Sequence, residues 1–190
     1  MPKIVPDAQI FEAVIQLIEL YGFAGMTTKQ IAKVAQVNEV TIFRKYGSKA
    51  QLVKQAIIYY AFAAVIETAV TYTGNIEADL HQVVAAYQKS AELHAKIFSI
   101  MLSEIARFPE LKDVLNAPLG IVAEIAQLLE RYQAEGVLRP ENPFQAAGAL
   151  IGPLVINAML RKAQVMNVDQ PVDLDEHVAA YIYGHIAQKT

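Results

Sequence analysis

Cysteine is absent from the 190 residues of this chain. Its absence excludes disulfide bonds, thiolate nucleophiles and cysteine-based zinc sites, although it does not fix the compartment. Charge is also sparse, since 18% of the residues are charged and 54% are hydrophobic. This composition excludes a disordered chain. It predicts a folded protein whose apolar surplus is covered at a subunit interface or lines an internal cavity.

A hydrophobic run long enough to cross a bilayer is lacking as well. The N-terminal segment carries Asp7, Glu12 and Glu19 among its apolar positions, and no basic region precedes a continuous hydrophobic one, so we expect no secretory signal. The longest apolar run, Ala146 to Leu160, contains glycine, proline and asparagine and falls short of the roughly 20 residues that a spanning helix needs. We therefore expect a buried helix there, and a soluble, cytoplasmic protein without a membrane partner.

Motifs for catalysis and for cofactors are also missing. The chain has no G-x-S-x-G, no glycine-rich phosphate loop and no nucleophile with a credible base. No two histidines have the spacing of a helical metal site; they are His81, His94, His177 and His185. We therefore expect no enzyme, no cofactor and no metal.

What the chain does have is helical periodicity. Apolar residues follow the i, i+3, i+4, i+7 spacing of one helix face at Ile10, Ala13, Val14, Leu17, Ile18 and Tyr21. Asp7 is positioned to cap this first helix and Gly22 to end it. Thr27 and Gln30 fit a capping box for a short second helix that ends near Ala35.

Two further helix starts follow closely. Asn38 is suited to cap a third helix, and Ser48 with Gln51 repeats the capping-box pattern for a fourth that extends to about Thr73. Later, Pro143 fits the first turn of a helix capped by Asn142. The final helix has one face formed by Leu174, Val178, Tyr181, Ile182 and His185. No segment has a convincing strand period, so the predicted fold class is all-α.

Positive charge is concentrated around these short helices. Between Thr27 and Lys54 there are six lysines and arginines against Glu39 alone, a net charge of +5, whereas the whole chain has a net charge of −3 and the remainder therefore carries −8. Neutralising DNA phosphates requires such a patch. Helix two, a short turn and helix three therefore predict a helix-turn-helix that meets nucleic acid.

The third helix offers groups that recognise bases. Ile42 and Tyr46 stand four residues apart and should pack inward. The remaining side chains face outward or along the flanks: Glu39, Val40, Thr41, Phe43, Arg44 and Lys45. Arg44 can donate two hydrogen bonds to guanine, Thr41 can bond a base or a phosphate, and Val40 or Phe43 can contact a thymine methyl group. We expect Lys45 and Lys49 to contact phosphates, the latter beside the free amides of a helix start.

The stretch GFAGMTTKQIAKVAQVNEVTIFRKYGSKAQLV contains GF after helix one, TT-x-x-x-IA in helix two, and T-[LI]-[FY]-x-x-[FY]-x-x-K through helix three and its exit. In this order and spacing, the region from Ile10 to about Ile57 resembles the DNA-binding domain of TetR-family transcriptional regulators. The resemblance implies a helix-turn-helix domain at 1–53 and a helical effector-binding and dimerisation domain at 54–190. By position, the implied DNA contacts are Thr28, Lys29, Glu39, Val40, Thr41, Phe43, Arg44, Lys45 and Lys49.

The resemblance further implies a homodimer that reads a palindromic double-stranded operator and answers to a small-molecule effector. The small residues of the helix at 143–163, together with the helix at 174–188, are the expected dimer contacts. Candidate pocket residues for an unidentified effector are Tyr87, Phe98, Met101, Phe108 and Tyr132. A ligand-responsive repressor is the function so implied.

Three positions depart from the family pattern. Phe43 lacks the hydroxyl of the tyrosine often found there, and Val40 and Gln36 stand where glycine is common. Glu39 either accepts a hydrogen bond from a cytosine amino group or complements the helix dipole while avoiding the DNA. These departures motivate a second interpretation, a helical small-molecule-binding or interaction protein that has lost operator binding.

Overall fold

The second, third and fourth helices form where the sequence places their caps. The computed structural model describes residues 6–61, 69–164 and 169–187. Its first helices are α1 at Asp7–Gly25, α2 at Thr28–Val34, α3 at Glu39–Tyr46 and α4 at Lys49–Ala61. The predicted capping box between Thr27 and Gln30 is present, and the Asn38 side chain accepts a hydrogen bond from the Val40 amide at 2.9 Å. The predicted starts of α2 and α3 are therefore confirmed.

Details of α1 differ from the prediction. Pro6, and not Asp7, occupies the cap position, because the Asp7 carboxylate bonds to side chains of α3 instead. Gly22 interrupts the helix with φ 66° and ψ 178°, a conformation in the left-handed half of the map that glycine adopts without steric cost. The buried stripe ends at Ile18, so that Tyr21 is 54% exposed and the prediction that it packs inward is wrong.

The predicted length of α4 is also wrong. Residues 69–75 are not helical, although the helix was expected to reach about Thr73; residues 62–68 lie outside the described part of the chain. The amide and hydroxyl of Thr73 donate to the Asp79 carboxylate at 2.7 and 2.6 Å. These bonds fold residues 73–75 over the start of the next helix, and the local spacing of apolar residues carries no sign of them.

The rest of the described chain is helical. It contains α5 at Ile76–Ile105, a 3₁₀ helix at Pro109–Leu115, α6 at Asn116–Ala134, α7 at Pro143–Ala163 and α8 at Leu174–His185. Asn142 caps α7 as predicted, by accepting from the Phe144 and Gln145 amides. The described residues form no strand beyond one isolated bridge between Leu138 and Ile186. The predicted all-α class is confirmed.

The chain divides into two compact units. One comprises Met1–Ala63 and Lys96–Asn116, the other Ala64–Ala95 and Ala117–Thr190, so that α5 contributes to both. The core of the first unit joins apolar residues of α1 to α4 with Ile97, Met101, Leu111 and Val114. The division into 1–53 and 54–190 stays a prediction, since the first unit also includes a segment from the middle of the sequence.

Helix α7 buries one face and exposes the other. Its inner face consists of Ala146, Ala147, Leu150, Ile151, Leu154 and Ala158. Only 33% of its most apolar 18-residue window is buried, and the mean hydropathy of that window is 1.4. By length and composition alone, α7 is the one helix of the described ranges that could cross a membrane, a property that core helices of soluble proteins share. The expectation of a buried helix therefore holds only for the inner face, about a third of that window.

Candidate nucleic-acid interface

Helices α2 and α3 meet at a tight turn. The backbone of Gln36 has φ 54°, in the left-handed region, and the Val37 amide bonds to the Ala32 carbonyl at 2.9 Å. Because a side chain raises the energy of this conformation, the position is one that glycine would fill more easily. The Gln9 side chain supports the turn by donating to the Ala35 carbonyl at 3.1 Å. The result is a helix-turn-helix with α3 on its outer side.

One face of α3 is buried and the opposite face is open. Ile42 and Tyr46 are 1% and 5% exposed, as predicted. Val40 is 69% and Phe43 49% exposed, which places two large apolar side chains in solvent on one short helix. Arg44 is exposed as well and has no ion-pair partner in the described ranges. Such a combination of apolar groups and a cation suits contact with base edges and the thymine methyl group.

Two of the predicted DNA contacts bind each other. The Thr28 hydroxyl donates to Glu39 Oε1 at 2.6 Å, which joins the start of α2 to the start of α3. Both residues are partly exposed. The bond holds the Glu39 carboxylate on the flank of α3 that faces α2, and no spacing in the sequence predicts it.

On the opposite flank, Lys45 is paired with Asp7. The Lys45 ammonium and the Tyr46 hydroxyl both donate to Asp7 Oδ1, the latter at 2.5 Å. The Lys45 and Tyr46 hydrogen bonds lower the pKa of Asp7, although burial opposes them. Burial, followed by the bond to Asp7, raises the pKa of Tyr46. Lys45 is exposed, but an internal carboxylate already neutralises part of its charge, and its phosphate contact stays a prediction.

Lys49 lies in a different environment from the one predicted. Its ammonium donates to the carbonyls of Phe23 and Met26 at 2.8 and 3.0 Å, and it stands 4.2 Å from the centre of the Phe23 ring. Burial lowers the pKa of Lys49, while the charges of Glu104 and Glu110 oppose this shift. Two of its three N–H donors are thus used inside the protein. The phosphate contact of Lys49 stays a prediction, and this geometry does not favour it.

The carboxylate of Glu104 is close to Gly22 in the same unit. A Cβ on Gly22 would lie 2.8 Å from Glu104 Oε1, and Glu104 Oε2 is buried without a hydrogen-bond partner in the described chain. A larger residue at position 22 would displace the Glu104 side chain, and its backbone would be strained at the φ of 66° that glycine adopts there. No spacing in the sequence relates the two residues.

The residues predicted to line an effector pocket are divided between the two units. Phe98, Met101 and Phe108 belong to the first unit, where Met101 is 1% exposed and the Phe108 ring lies 5.0 Å from that of Phe23. Tyr87 and Tyr132 belong to the second unit. Met101 and Phe108 are therefore packing residues of the first unit's core and its edge, and the lining of a pocket stays a prediction.

Tyr132 has a structural role in the second unit. It is fully buried, and its hydroxyl donates to Asp79 Oδ2 at 2.6 Å. Burial alone would raise the pKa of Asp79, but the hydrogen bonds from Thr73 and Tyr132 lower it overall. Burial and the bond to Asp79 raise the pKa of Tyr132. Tyr87 differs, because it is half-buried and has no hydroxyl partner in the described ranges.

Two helices of the second unit expose faces of small residues. On α7 this face consists of the exposed Gly148, Ala149, Pro153 and Ile156 with the half-buried Gly152, and on α8 it includes Ala179, Ala180, Tyr183 and Gly184. A Cβ added to any of these glycines would meet nothing within 4 Å. Tyr183 is 87% exposed. These faces match the segments that were expected to form a dimer.

Helix α3 has a buried inner face and an open cationic outer face, and a tight turn joins it to α2. These features define a helix-turn-helix protein of the DNA-binding class. Comparison with family models gives the particular family. The model for bacterial regulatory proteins of the tetR family matches residues 10–56, and the model for the C-terminal domain of AefR-like transcriptional repressors matches residues 79–186. The chain belongs to the TetR family of transcriptional regulators, a class without enzymatic activity.

The chain is similar in sequence to other helix-turn-helix transcriptional regulators. The HTH-type transcriptional regulator YvkB of Bacillus subtilis is 26% identical over 187 residues, which cover 94% of this chain and 96% of YvkB. The HTH-type regulator Rv1556 of Mycobacterium tuberculosis is 28% identical over 111 residues, which cover 58% of this chain and 53% of Rv1556.

Solved structures show the same fold. The flavonoid-responsive regulator FrrA superimposes with a TM-score of 0.74 at 18% identity, covering 96% of this chain and 98% of FrrA. PfmR from Thermus thermophilus gives a TM-score of 0.66 at 17% identity, covering 92% of this chain and 94% of PfmR. The predicted family and fold are confirmed, whereas the individual DNA contacts are tested by none of these comparisons.

Proposed function

We propose that this chain is a ligand-responsive repressor that binds a palindromic operator as a homodimer. The observation that carries the proposal is the outer face of α3, where Val40, Phe43 and Arg44 are exposed while Ile42 and Tyr46 anchor the helix. A cation and two apolar groups exposed on a rigid helix suit the edges of bases in a major groove. The match to the C-terminal domain of AefR-like repressors supports repression over activation.

Within this proposal, some side chains contact bases and others contact phosphates. Arg44 reads a guanine edge, Val40 and Phe43 contact pyrimidine C5 groups, and Thr41 bonds a base or a phosphate. Lys29 and Lys45 contact phosphates, which position the domain without specifying a sequence. Lys49 is omitted from this set because its ammonium donates to two main-chain carbonyls.

Substitution of Arg44 and Lys45 tests this division. Fluorescence anisotropy should follow binding of Arg44→Ala and Lys45→Ala to the selected operator and to scrambled duplexes, over a series of salt concentrations. Arg44→Ala should reduce the ratio of operator to scrambled affinity by about five- to a hundredfold, the discrimination expected of one bidentate base contact. Lys45→Ala should weaken all duplexes alike and reduce the salt slope by roughly 0.9. Unchanged binding by both variants would contradict the assignment of this face.

The second copy is proposed to cover the small-residue faces of α7 and α8. These faces are open and apolar in the single chain, and small residues allow two helices to approach closely. A symmetric pairing there would also cover the exposed side of α7 without a membrane, in keeping with a cytoplasmic regulator. A dimer reads a palindrome only if its two recognition helices reach major grooves that are roughly 34 to 36 Å apart.

Gly152→Arg tests the dimer. The side chain has open space in the single chain, so that folding should be retained, whereas it would obstruct a close helix pair. Gly120→Arg is the matched control, since Gly120 lies on α6 and is equally open. Light scattering after size exclusion should give a dimer for the native chain and the control, and a monomer for Gly152→Arg. A dimeric Gly152→Arg would exclude this face.

The effector is proposed to be a small, largely apolar molecule that binds in the second unit. Support comes from Tyr87, a half-buried tyrosine whose hydroxyl has no partner in the described ranges, and from the structural neighbour FrrA, which is flavonoid-responsive. An effector shifts DNA affinity only by its difference in affinity for the two states. Adding a panel of flavonoids to the operator complex should release DNA from the native chain and should release less DNA from Tyr87→Phe. Equal release from both proteins would exclude Tyr87 from the effector site.

The second candidate is a ligand-binding protein that has lost operator binding. The pairing of Lys45 with Asp7 and the internal use of Lys49 favour it, because both reduce the free positive charge near α3. It predicts that any binding to duplex DNA depends on salt but shows no sequence preference at any salt concentration. The anisotropy series with operator and scrambled duplexes distinguishes it from the repressor.

A further inference from the structure

Glu39 is an acidic residue at the start of a DNA-reading helix. Its Oε1 accepts a hydrogen bond from the Thr28 hydroxyl at 2.6 Å, while the side chain remains partly exposed. The bond fixes one carboxylate oxygen on the flank of α3 that faces α2. The other oxygen, Oε2, has no hydrogen-bond partner in the described ranges. An acceptor with a defined position is therefore exposed at the N-terminal end of α3, the end that contacts bases in helix-turn-helix proteins.

Capping of α3 does not explain this carboxylate. The cap is Asn38, whose side chain accepts from the Val40 amide at 2.9 Å. The Glu39 carboxylate bonds to a hydroxyl of α2 and not to the free amides of its own helix. The sequence allowed two roles for Glu39, complementing the helix dipole or accepting from a base. Its place in the first turn of α3 suits the first role, and Oε2, which bonds to no described donor, leaves an acceptor for the second.

Phe43 adds an apolar group beside the acceptor. It lies one helical turn after Glu39, on the same flank, and it is 49% exposed. In the major groove, cytosine presents the N4 amino donor, and the C5 position of the pyrimidine ring lies next to it. An acceptor and an apolar surface on one flank therefore match the edge of a cytosine.

We propose that Glu39 specifies a cytosine in each half-site by accepting from its N4 amino group, with Phe43 against the C5 edge. Thr28 is a positioning residue that holds the carboxylate. The proposal rests on the proposed function, because it requires operator binding. The other bases are disfavoured by repulsion between acceptors: guanine presents O6 and N7, thymine presents O4, and adenine presents N7 beside its amino group.

Selection from a random duplex pool tests the proposal with the full-length chain. The native protein should enrich one cytosine per half-site, and each other base there should lower affinity by about fivefold or more. Glu39→Gln should change this preference to adenine, because an amide pairs with adenine N6 and N7. Glu12→Gln, which removes an exposed carboxylate from α1, is the control for charge and should leave every preference unchanged.

The test of Thr28 must distinguish a positioning role from a general loss of DNA binding. Thr28→Val keeps the shape of the side chain and removes the hydroxyl, so it should weaken the preference for cytosine at that position alone, and Thr28→Ser should restore it. Thermal unfolding of each variant confirms folding. A native selection without any preferred sequence would overturn the proposed function and this inference together. A selected operator that is identical for the native chain, Glu39→Gln and Thr28→Val would overturn this inference alone.

Discussion

Lys49→Met is expected to destabilise the DNA-binding unit rather than remove a phosphate contact. The ammonium donates to the carbonyls of Phe23 and Met26 and stands over the Phe23 ring. A hydrogen bond that involves a charged group contributes roughly 1.5 to 3 kcal/mol. Because the ammonium is only partly desolvated and the freed carbonyls can bind water, each bond is placed below this range, at about 1 to 1.5 kcal/mol. The two bonds together then contribute roughly 2 to 3 kcal/mol to the free energy of unfolding.

Thermal unfolding followed by circular dichroism measures this loss. For a chain of this length, 1 kcal/mol corresponds to about 2 to 4 °C, so Lys49→Met should lower the Tm by roughly 4 to 12 °C. Lys54→Met is the control, because Lys54 pairs with Asp113, whose side chain is 59% exposed, and such surface pairs contribute at most about 1 kcal/mol. An unchanged Tm, together with a salt slope of DNA binding reduced by roughly 0.9, would refute the reasoning and restore Lys49 as a phosphate contact.

Three further results are expected. Asp7→Asn should free Lys45 and raise affinity for all duplexes several-fold in anisotropy titrations, whereas an unchanged affinity would mean that the pair persists on DNA. Folding lowers the pKa of Asp7. The ionised carboxylate therefore stabilises the fold fully above the ordinary pKa of 3.8, and this stabilisation is lost as the pH falls through the folded pKa. Asp7→Asn should therefore lose stability less steeply than the native chain in acid unfolding. Tyr132→Phe should lower the free energy of unfolding in urea by about 1 to 3 kcal/mol, because it leaves a buried carboxylate with one donor fewer, while Tyr21→Phe on the exposed side of α1 should have no effect.

Sequence periodicity and capping chemistry predicted much of the N-terminal architecture. The box at Thr27 and Gln30, the cap at Asn38 and the inward positions of Ile42 and Tyr46 all depend on residues within one or two helical turns of each other. Interactions at this range are determined by backbone geometry alone, so a single sequence reveals them. The resemblance to the family added the order of these elements, which local spacing does not provide.

Contacts between distant residues could not be predicted. Asp7 was assigned as a cap because it precedes an apolar face, but its partners lie 38 and 39 positions away. The carbonyl partners of Lys49 lie 23 and 26 positions away, and the non-helical conformation of residues 73–75 is held by bonds from Thr73 to Asp79. In each case a polar group has several possible partners, and only the packing of helices decides between them. The residues chosen for a pocket raise the same difficulty, because Met101 and Tyr132 at helical spacing are equally suited to a core.

Selection of bound DNA from a random duplex pool by the purified chain tests the central claim most directly. A dimeric regulator that reads bases through α3 should enrich an inverted repeat whose half-site centres are separated by one helical turn, about 10 to 10.5 base pairs, or a multiple of it. Arg44→Ala should lose at least one enriched position in each half-site. A pool that shows no enriched sequence, although the same protein binds duplex DNA in a salt-dependent manner, would contradict the account.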